Sequence, residues 1–340
     1  MRRVLAPLLL LAATLPFAFG AGCQSAPARL LFAPADGASE VRWVLTDSAL
    51  AVSFFGRSVS VFEARKGRML WTSRAVAREV WHPTFGIATS ATGETLAVAT
   101  PDGVLALLAR TGQRLLATPG GGATLALSSD GRWLAWGDGR KGRIVSVPDT
   151  TTTRDLRVPG SVPDTTTTRD LRVPGEHGGL VWLDRVRSFA WTDGPRVMFH
   201  APDSNTTRSL GPFTEGEPGS LAATRLGATL AVAESTNAIS VWNTGTGTQR
   251  SRMRLEAPRP ARHMALSSDG WFLATADGGT VRVRWAYTGR EVFTWRPHRG
   301  ADVRDLAFSI QGHRMATLGA EGMLAVWDLS PATRNAPGDR

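Results

Sequence analysis

The segment LALSSDGRWLAW, residues 125–136, recurs almost unchanged as MALSSDGWFLAT at 264–275. Each copy is an apolar run, a Ser-Asp-Gly corner and a second apolar run. Asp-Gly between two hydrophobic runs specifies a tight hairpin, because glycine adopts the left-handed backbone such a turn needs. The second runs set a register for the whole chain: LAVSFF from Leu50, LAVAT from Leu96, LAWGD from Leu134, FAWTD from Phe189, LAVAES from Leu230, LATAD from Leu273 and MATLG from Met315. They are spaced by 46, 38, 55, 41, 43 and 42 residues. The long interval has a simple origin. SVPDTTTTRDLRVPG at 146–160 is repeated without change at 161–175, and removing one 15-residue copy brings the interval to 40. One copy can supply an outer strand, while the other must loop out or form a surface hairpin, which costs little because loop-closure entropy grows slowly with length.

Further turn signals fall at matching places. Asp102-Gly103, Asp193-Gly194, Asp277-Gly278-Gly279 and Glu321-Gly322 follow second strands; Lys66-Gly67, Thr111-Gly112, Thr246-Gly247 and Thr288-Gly289 follow third strands. A unit of about 40–45 residues with four short strands is the pattern of a β-propeller. The expectation is an all-β, seven-bladed β-propeller over residues 30–329. The last repeat carries the most detail: His298, then DLAFS from Asp305, Thr317, Glu321 and VWD at 326–328, with Val241-Trp242-Asn243 as a weaker copy. These residues resemble the WD-repeat family over most of the chain. The resemblance implies a hydrogen-bonded structural set of His298, Thr317, Glu321 and Trp327. It also departs from the family, with Glu321 in the place of Asp, Leu108 in the place of a Trp, and Pro148 likewise. Nothing after Asp328 reads as a fourth strand, so Leu30-Leu31-Phe32 is expected to complete blade seven. Residues 330–340 read as a disordered tail.

The N-terminus is of a different kind. Arg2-Arg3 precede an apolar stretch from Val4 to Phe19 that contains Pro7 and Pro16, and Gly20-Ala21-Gly22 come before the single cysteine, Cys23. The stretch is short for a membrane span and reads as a signal peptide over residues 1–22. Ala21, Gly22 and Cys23 resemble the processing site of bacterial lipoproteins, although Gly20 stands where a branched apolar residue is usual. That resemblance implies lipidation of Cys23, palmitate included, a short tether at 23–29, and attachment to the cell envelope. Gln24 beside the cysteine implies the outer membrane of a Gram-negative cell. Ordinary cleavage would instead give a secreted or periplasmic protein.

Composition narrows the remaining classes. The formal charge is +10, and loss of Arg2 and Arg3 leaves about +8. Lys66 and Lys141 are the only lysines, so an Arg-rich composition discounts any single Arg as a signal. The balance favours anionic surfaces such as phospholipid head groups, and an exported chain does not meet nucleic acid. Histidines at 82, 177, 200, 263, 298 and 313 lack metal-ligand spacing, no nucleophile triad stands out, and Glu215 and Glu217 read as solvated loop acids. Gly120-Gly121-Gly122 lack the lysine and helix of a phosphate loop. No catalytic residue, metal or cofactor is expected. The inner strands LALS, MALS and LAFS read as small and apolar, which argues against a channel-based enzyme.

The remaining signal is a set of basic loops leading into the blades: Arg259 and Arg262 before blade six, Arg296, His298 and Arg299 before blade seven, and Arg140 and Lys141 in blade three. They are candidate partner-binding residues. The expectation is a monomeric, non-catalytic platform for a protein or peptide. The alternatives are a hydrolase or lactonase of propeller form and a sensor of anions or small ligands. Converging acids or histidines in the channel favour the enzyme, and an arginine ring favours the sensor.

Overall fold

The computed structural model describes residues 28–32, 37–54, 58–74, 86–100, 103–119, 124–137, 142–147, 169–171, 179–256 and 261–330. These form seven four-stranded antiparallel sheets arranged as a seven-bladed propeller. Blade one runs outward through Ala38–Val44, Ala49–Phe54, Ser58–Glu63 and Met69–Arg74. The inner strands of the other blades are Ile87–Thr89, Thr124–Leu127, Leu180–Leu183, Pro218–Ala223, His263–Leu266 and Val303–Phe308.

The second strands are apolar on both sides because each is sandwiched between neighbouring blades. Leu50, Leu96, Leu134, Phe189, Leu230, Leu273 and Met315 are all fully buried. The core is accordingly not one cluster. Each apolar cluster spans one blade-to-blade contact: Leu134 and Trp136 pack with Ala97 and Val104 of blade two, and Met315 and Trp327 pack with Phe272 and Trp295 of blade six. Tryptophan works at these contacts. Trp295 lies 5.7 Å from Trp327, edge to face, and the half-buried Trp71 donates its indole N–H to Ala109 O of blade two at 2.8 Å.

The Ser-Asp-Gly corners act as read. In blade three, Ser128 N–H donates to Trp133 O, Trp133 N–H donates to Ser128 Oγ, and Gly131 turns at φ +75°. Ser90, Thr224, Ser267 and Ser309 make the same backbone contact in blades two, five, six and seven. Blades one and four lack the motif and turn differently: Leu45, Thr46 and Asp47 all take positive φ, and Asp184–Val186 forms a single 3-10 turn. These first-to-second and the third-to-fourth turns form what is called here the lower face. The connections between blades and the second-to-third turns form the upper face.

The ring closes as expected. Ala28–Phe32 pairs antiparallel with Leu324–Asp328, with Leu31 opposite Ala325 and Phe32 opposite Leu324. In blade three the outer strand is Arg169–Leu171, which belongs to the second copy of the duplicated segment. The first copy lies outside the described residues, as do the segment 1–27 with Cys23 and the tail from 331.

Candidate functional site

An inner strand offers the channel a row of backbone N–H and C=O groups that no further strand pairs. How those groups are capped decides what the channel presents. On blades seven, one and two the caps are carboxylates. Asp305 Oδ2 accepts the Val41 N–H at 2.9 Å, and Oδ1 accepts the Leu306 N–H at 2.9 Å. Glu40 Oε2 accepts the Ile87 N–H at 2.8 Å. Arg42 lies between them, donating to Asp305 Oδ2 at 2.6 Å and to Val41 O at 2.7 Å, with Glu40 Oε2 at 3.4 Å. Arg304 donates to Ala38 O, and Ser220 of blade five donates to Arg262 O of blade six. Side-chain bonds therefore stitch inner edges across three of the blade junctions.

The strand geometry explains the placement. Pairing shifts register between Ala38 and Glu40 in blade one and between Val303 and Asp305 in blade seven. Such bulges re-aim the side chains beside them. From there Glu40 and Arg42 alternate with the buried Val41 and Trp43. The charged arc lines the upper part of a cavity of about 1150 Å³. Blades two, three and four supply small or apolar wall residues, including Gly86, Ile87, Leu125 and Leu180.

The electrostatics follow from one guanidinium shared by two acids. Burial works against the charge on Arg42, and the Asp305 and Glu40 carboxylates more than restore it. Arg42 sits closer to Asp305, so Glu40 is the acid left short of counter-charge. Burial and the nearby Asp305 raise Glu40 to about 7, against the pull of Arg42 and the Ile87 N–H. His263, at the head of the blade-six inner strand, is pushed below its ordinary value by burial, with Arg262 and Arg42 adding to the effect and Asp305 opposing it. Nothing in the described residues groups three His, Cys, Asp or Glu side chains as a metal site.

A raised carboxylate pKa destabilises the fold as pH rises, since the folded state holds a proton that the unfolded chain releases. The contribution of Glu40 is thus favourable below about pH 4.5 and is lost by about pH 7. Glu40→Gln keeps an acceptor for Ile87 and removes the titration. It is expected to match the wild type near pH 4.5 and to exceed it above pH 7 by on the order of 1–3 kcal/mol. Urea midpoints measured across that range check this; parallel curves for the two proteins refute it.

The residues singled out by the sequence are distributed differently. His298, Thr317, Glu321 and Trp327 come together: His298 Nε2 is 3.1 Å from Thr317 Oγ1, which also accepts the Trp327 indole N–H at 2.9 Å, and His298 Nδ1 is 2.7 Å from Glu321. His298 is 2% exposed with both ring nitrogens engaged. It stands inside blade seven and offers no surface to a partner, which corrects its place among the basic loop residues. Arg262, Arg296 and Arg299 are exposed on the upper face around blades six and seven. Arg140, Lys141 and Arg259 lie outside the described residues. Glu215 is exposed, as read, and pairs there with Arg252, which also binds the buried Glu234 at 2.6 Å. The reading of the inner strands as apolar is corrected too. It rested on LAFS and its equivalents, whereas the charges sit one turnward step earlier, in SEVRW at 39–43 and RD at 304–305. The alternation of Glu40 and Arg42 with Val41 and Trp43 was the available signal.

No protein-family description matches the chain, and no curated protein matches it. Among solved structures, the β-propeller domain of Cps50 (Swd1) from Myceliophteria thermophila superposes with a TM-score of 0.70, at 12% identity, covering 89% of this chain and 99% of that one. At that identity the likeness concerns architecture alone, and what it shows is that this chain has a seven-bladed, WD-repeat-like propeller fold.

Proposed function

We propose that the chain is an exported, lipid-anchored and non-catalytic platform that binds a protein or peptide across its upper face. The observation that carries this reading is the combination of a ring stitched at its inner edges with exposed cations on the upper face, Arg262 at the cavity and Arg296 and Arg299 in the connection into blade seven. Arg262, Arg296 and Arg299 have no carboxylate partner among the described residues. Asp305 is spent on two backbone amides and Arg42, so the acids here serve first to hold the rim. Rigid scaffolds presenting variable loops suit recognition, and arginine is favoured at interface hot spots. The export and lipid attachment rest on residues 1–23 of the sequence.

The test is capture from native envelopes with two matched variants. One reverses Arg262, Arg296 and Arg299 to Glu on the upper face; the other reverses Arg185, Arg225 and Arg290, on the lower face away from blades one and two. A partner retained by the wild type and the lower-face variant, and lost from the upper-face variant, is the expected result. Equal loss from both, or retention by both, rejects the upper face as the recognition surface.

A second reading has one observation in its favour. A carboxyl raised to about 7 in a cavity that His263 also lines has the profile of an acid–base group. A hydrolytic activity abolished by Glu40→Gln, with the fold intact, would replace the platform reading.

A further inference from the structure

The polarity of the closing strand decides which face meets the anchor. Ala28 pairs with Trp327, one residue before Asp328, and Asp328 lies opposite Arg314 at the lower turn of blade seven. That turn is joined to the lower turn of blade one, where Ile310 and Gln311 donate their N–H groups to Asp47. The third-to-fourth turn of blade one belongs to the same end, since Ala64 N–H donates to Ser48 O. The chain therefore enters the ring from the lower face, next to blade one. Ala28 follows Cys23 by only five positions, a reach of roughly 18 Å at full extension.

The same face carries the large exposed apolar side chains of the described residues. Met69 is 53% exposed and Leu70 40%, at the lower end of the outer strand of blade one; Leu226, in the lower turn of blade five, is 61% exposed. Its carboxylates are largely taken up. Glu63 pairs with Arg68, Glu94 with Arg110, Asp130 and Asp203 with Arg187, and Asp47 is buried against backbone amides. Arg65, Lys66 and Arg114, on the lower ends of blades one and two, have no carboxylate within ion-pairing distance among the described residues.

We propose that the lower face around Arg65, Lys66, Met69, Leu70 and Arg114 is a membrane-contact surface for an anionic phospholipid bilayer. Cations near a negatively charged leaflet draw the ring down, and short apolar side chains enter the head-group boundary. The upper face then points away from the bilayer toward partners. The orientation extends the anchoring reading, but the patch itself is testable without a lipid on Cys23.

The experiment uses the chain from Cys23 onward, which holds every described strand, with Cys23→Ser. Sedimentation is compared with vesicles of phosphatidylcholine alone and of phosphatidylcholine mixed with phosphatidylglycerol. Binding to the mixed vesicles only, weakened by high salt, is expected. Arg65→Glu with Lys66→Glu and Arg114→Glu should weaken it by about a hundredfold or more, each cation contributing roughly a factor of five. Met69→Ser with Leu70→Ser should weaken it and leave the salt dependence in place. Equal binding to both vesicles, no binding, or equal loss on reversing Arg262, Arg296 and Arg299 overturns the proposal; so does a patch variant that changes oligomeric state and leaves vesicle binding intact. Lipidation is read separately from the mass of the mature wild-type chain, so its failure leaves the vesicle result standing.

Discussion

A chain beginning at Gly37, and so lacking Ala28–Phe32, is expected to lose on the order of 5 kcal/mol of stability, a large share of the roughly 5–15 kcal/mol that holds a typical domain together. The strand supplies the fourth member of blade seven, and without it Leu324–Asp328 becomes an open edge. Leu324, Ala325 and Val326 are almost wholly buried in the intact ring. An exposed apolar edge of this kind pairs with other chains. Thermal unfolding should therefore move down by roughly 5–10 °C, with light scattering rising at the same temperature. Adding the peptide of residues 24–36 should restore part of the loss by refilling the edge.

The seam that remains would not be empty. Asp47 bridges blade one to Ile310 and Gln311, Arg314 donates to Asp47 O and lies over the Trp43 ring, and the Trp43 indole donates to Ala307 O at 3.0 Å. An apolar cluster joins Val41, Leu50 and Val52 to Ala316, Leu318 and Val326. If the truncated chain unfolds like the wild type, these contacts alone close the ring and the strand is an accessory. The prediction thus separates closure by backbone pairing from closure by side chains.

The blade count and the closure were legible because they rest on the strongest local signals. Seven sandwiched second strands read as apolar runs at a regular spacing, and the Ser-Asp-Gly corners carry their turn geometry in three residues. The duplicated segment declared itself by identity, though which copy enters the sheet is set by the pairing of Arg169–Leu171 with Gly142–Ile144, which no local pattern encodes. The blade-seven side chains around His298 were legible only through the resemblance of the last repeat to the WD-repeat family. The charged arc was not. Glu40 and Asp305 lie 265 positions apart, and they meet only because the ring closes between their blades. Two bulges set their direction, and a bulge in an inner strand leaves no clear mark in a short stretch such as ASEVRWV. The exposure of Met69 and Leu70 likewise follows from their place on an outermost strand, which a local apolar pattern does not mark.

Asp305→Ala is the second substitution expected to act strongly, at about 3 kcal/mol. It removes one carboxylate that serves three donors: the Val41 and Leu306 amides and the Arg42 guanidinium. Breaking a partly buried ion pair from one side leaves a charge without its partner, and that cost exceeds what the intact pair contributes. Compensation is available nearby, because Glu40 lies 3.4 Å from Arg42. The guanidinium should turn to it. Glu40 then loses a neighbouring negative charge and gains a closer positive one, so its pKa falls from about 7 toward the ordinary carboxylate range. The variant is therefore expected to be less stable at every pH, yet to lose less stability than the wild type between pH 4.5 and 7. Asp305→Asn removes the charge but keeps one carbonyl oxygen, so it accepts from only one of the Val41 and Leu306 amides; it should cost less than Asp305→Ala while shifting Glu40 just as far. Urea unfolding of both variants across pH, with carbon-13 carboxyl shifts to follow Glu40, distinguishes the two effects. A uniform drop with no change in the Glu40 midpoint would mean that Asp305 caps strand edges without governing the charge of the channel, and the acid–base reading of Glu40 would lose its electrostatic basis.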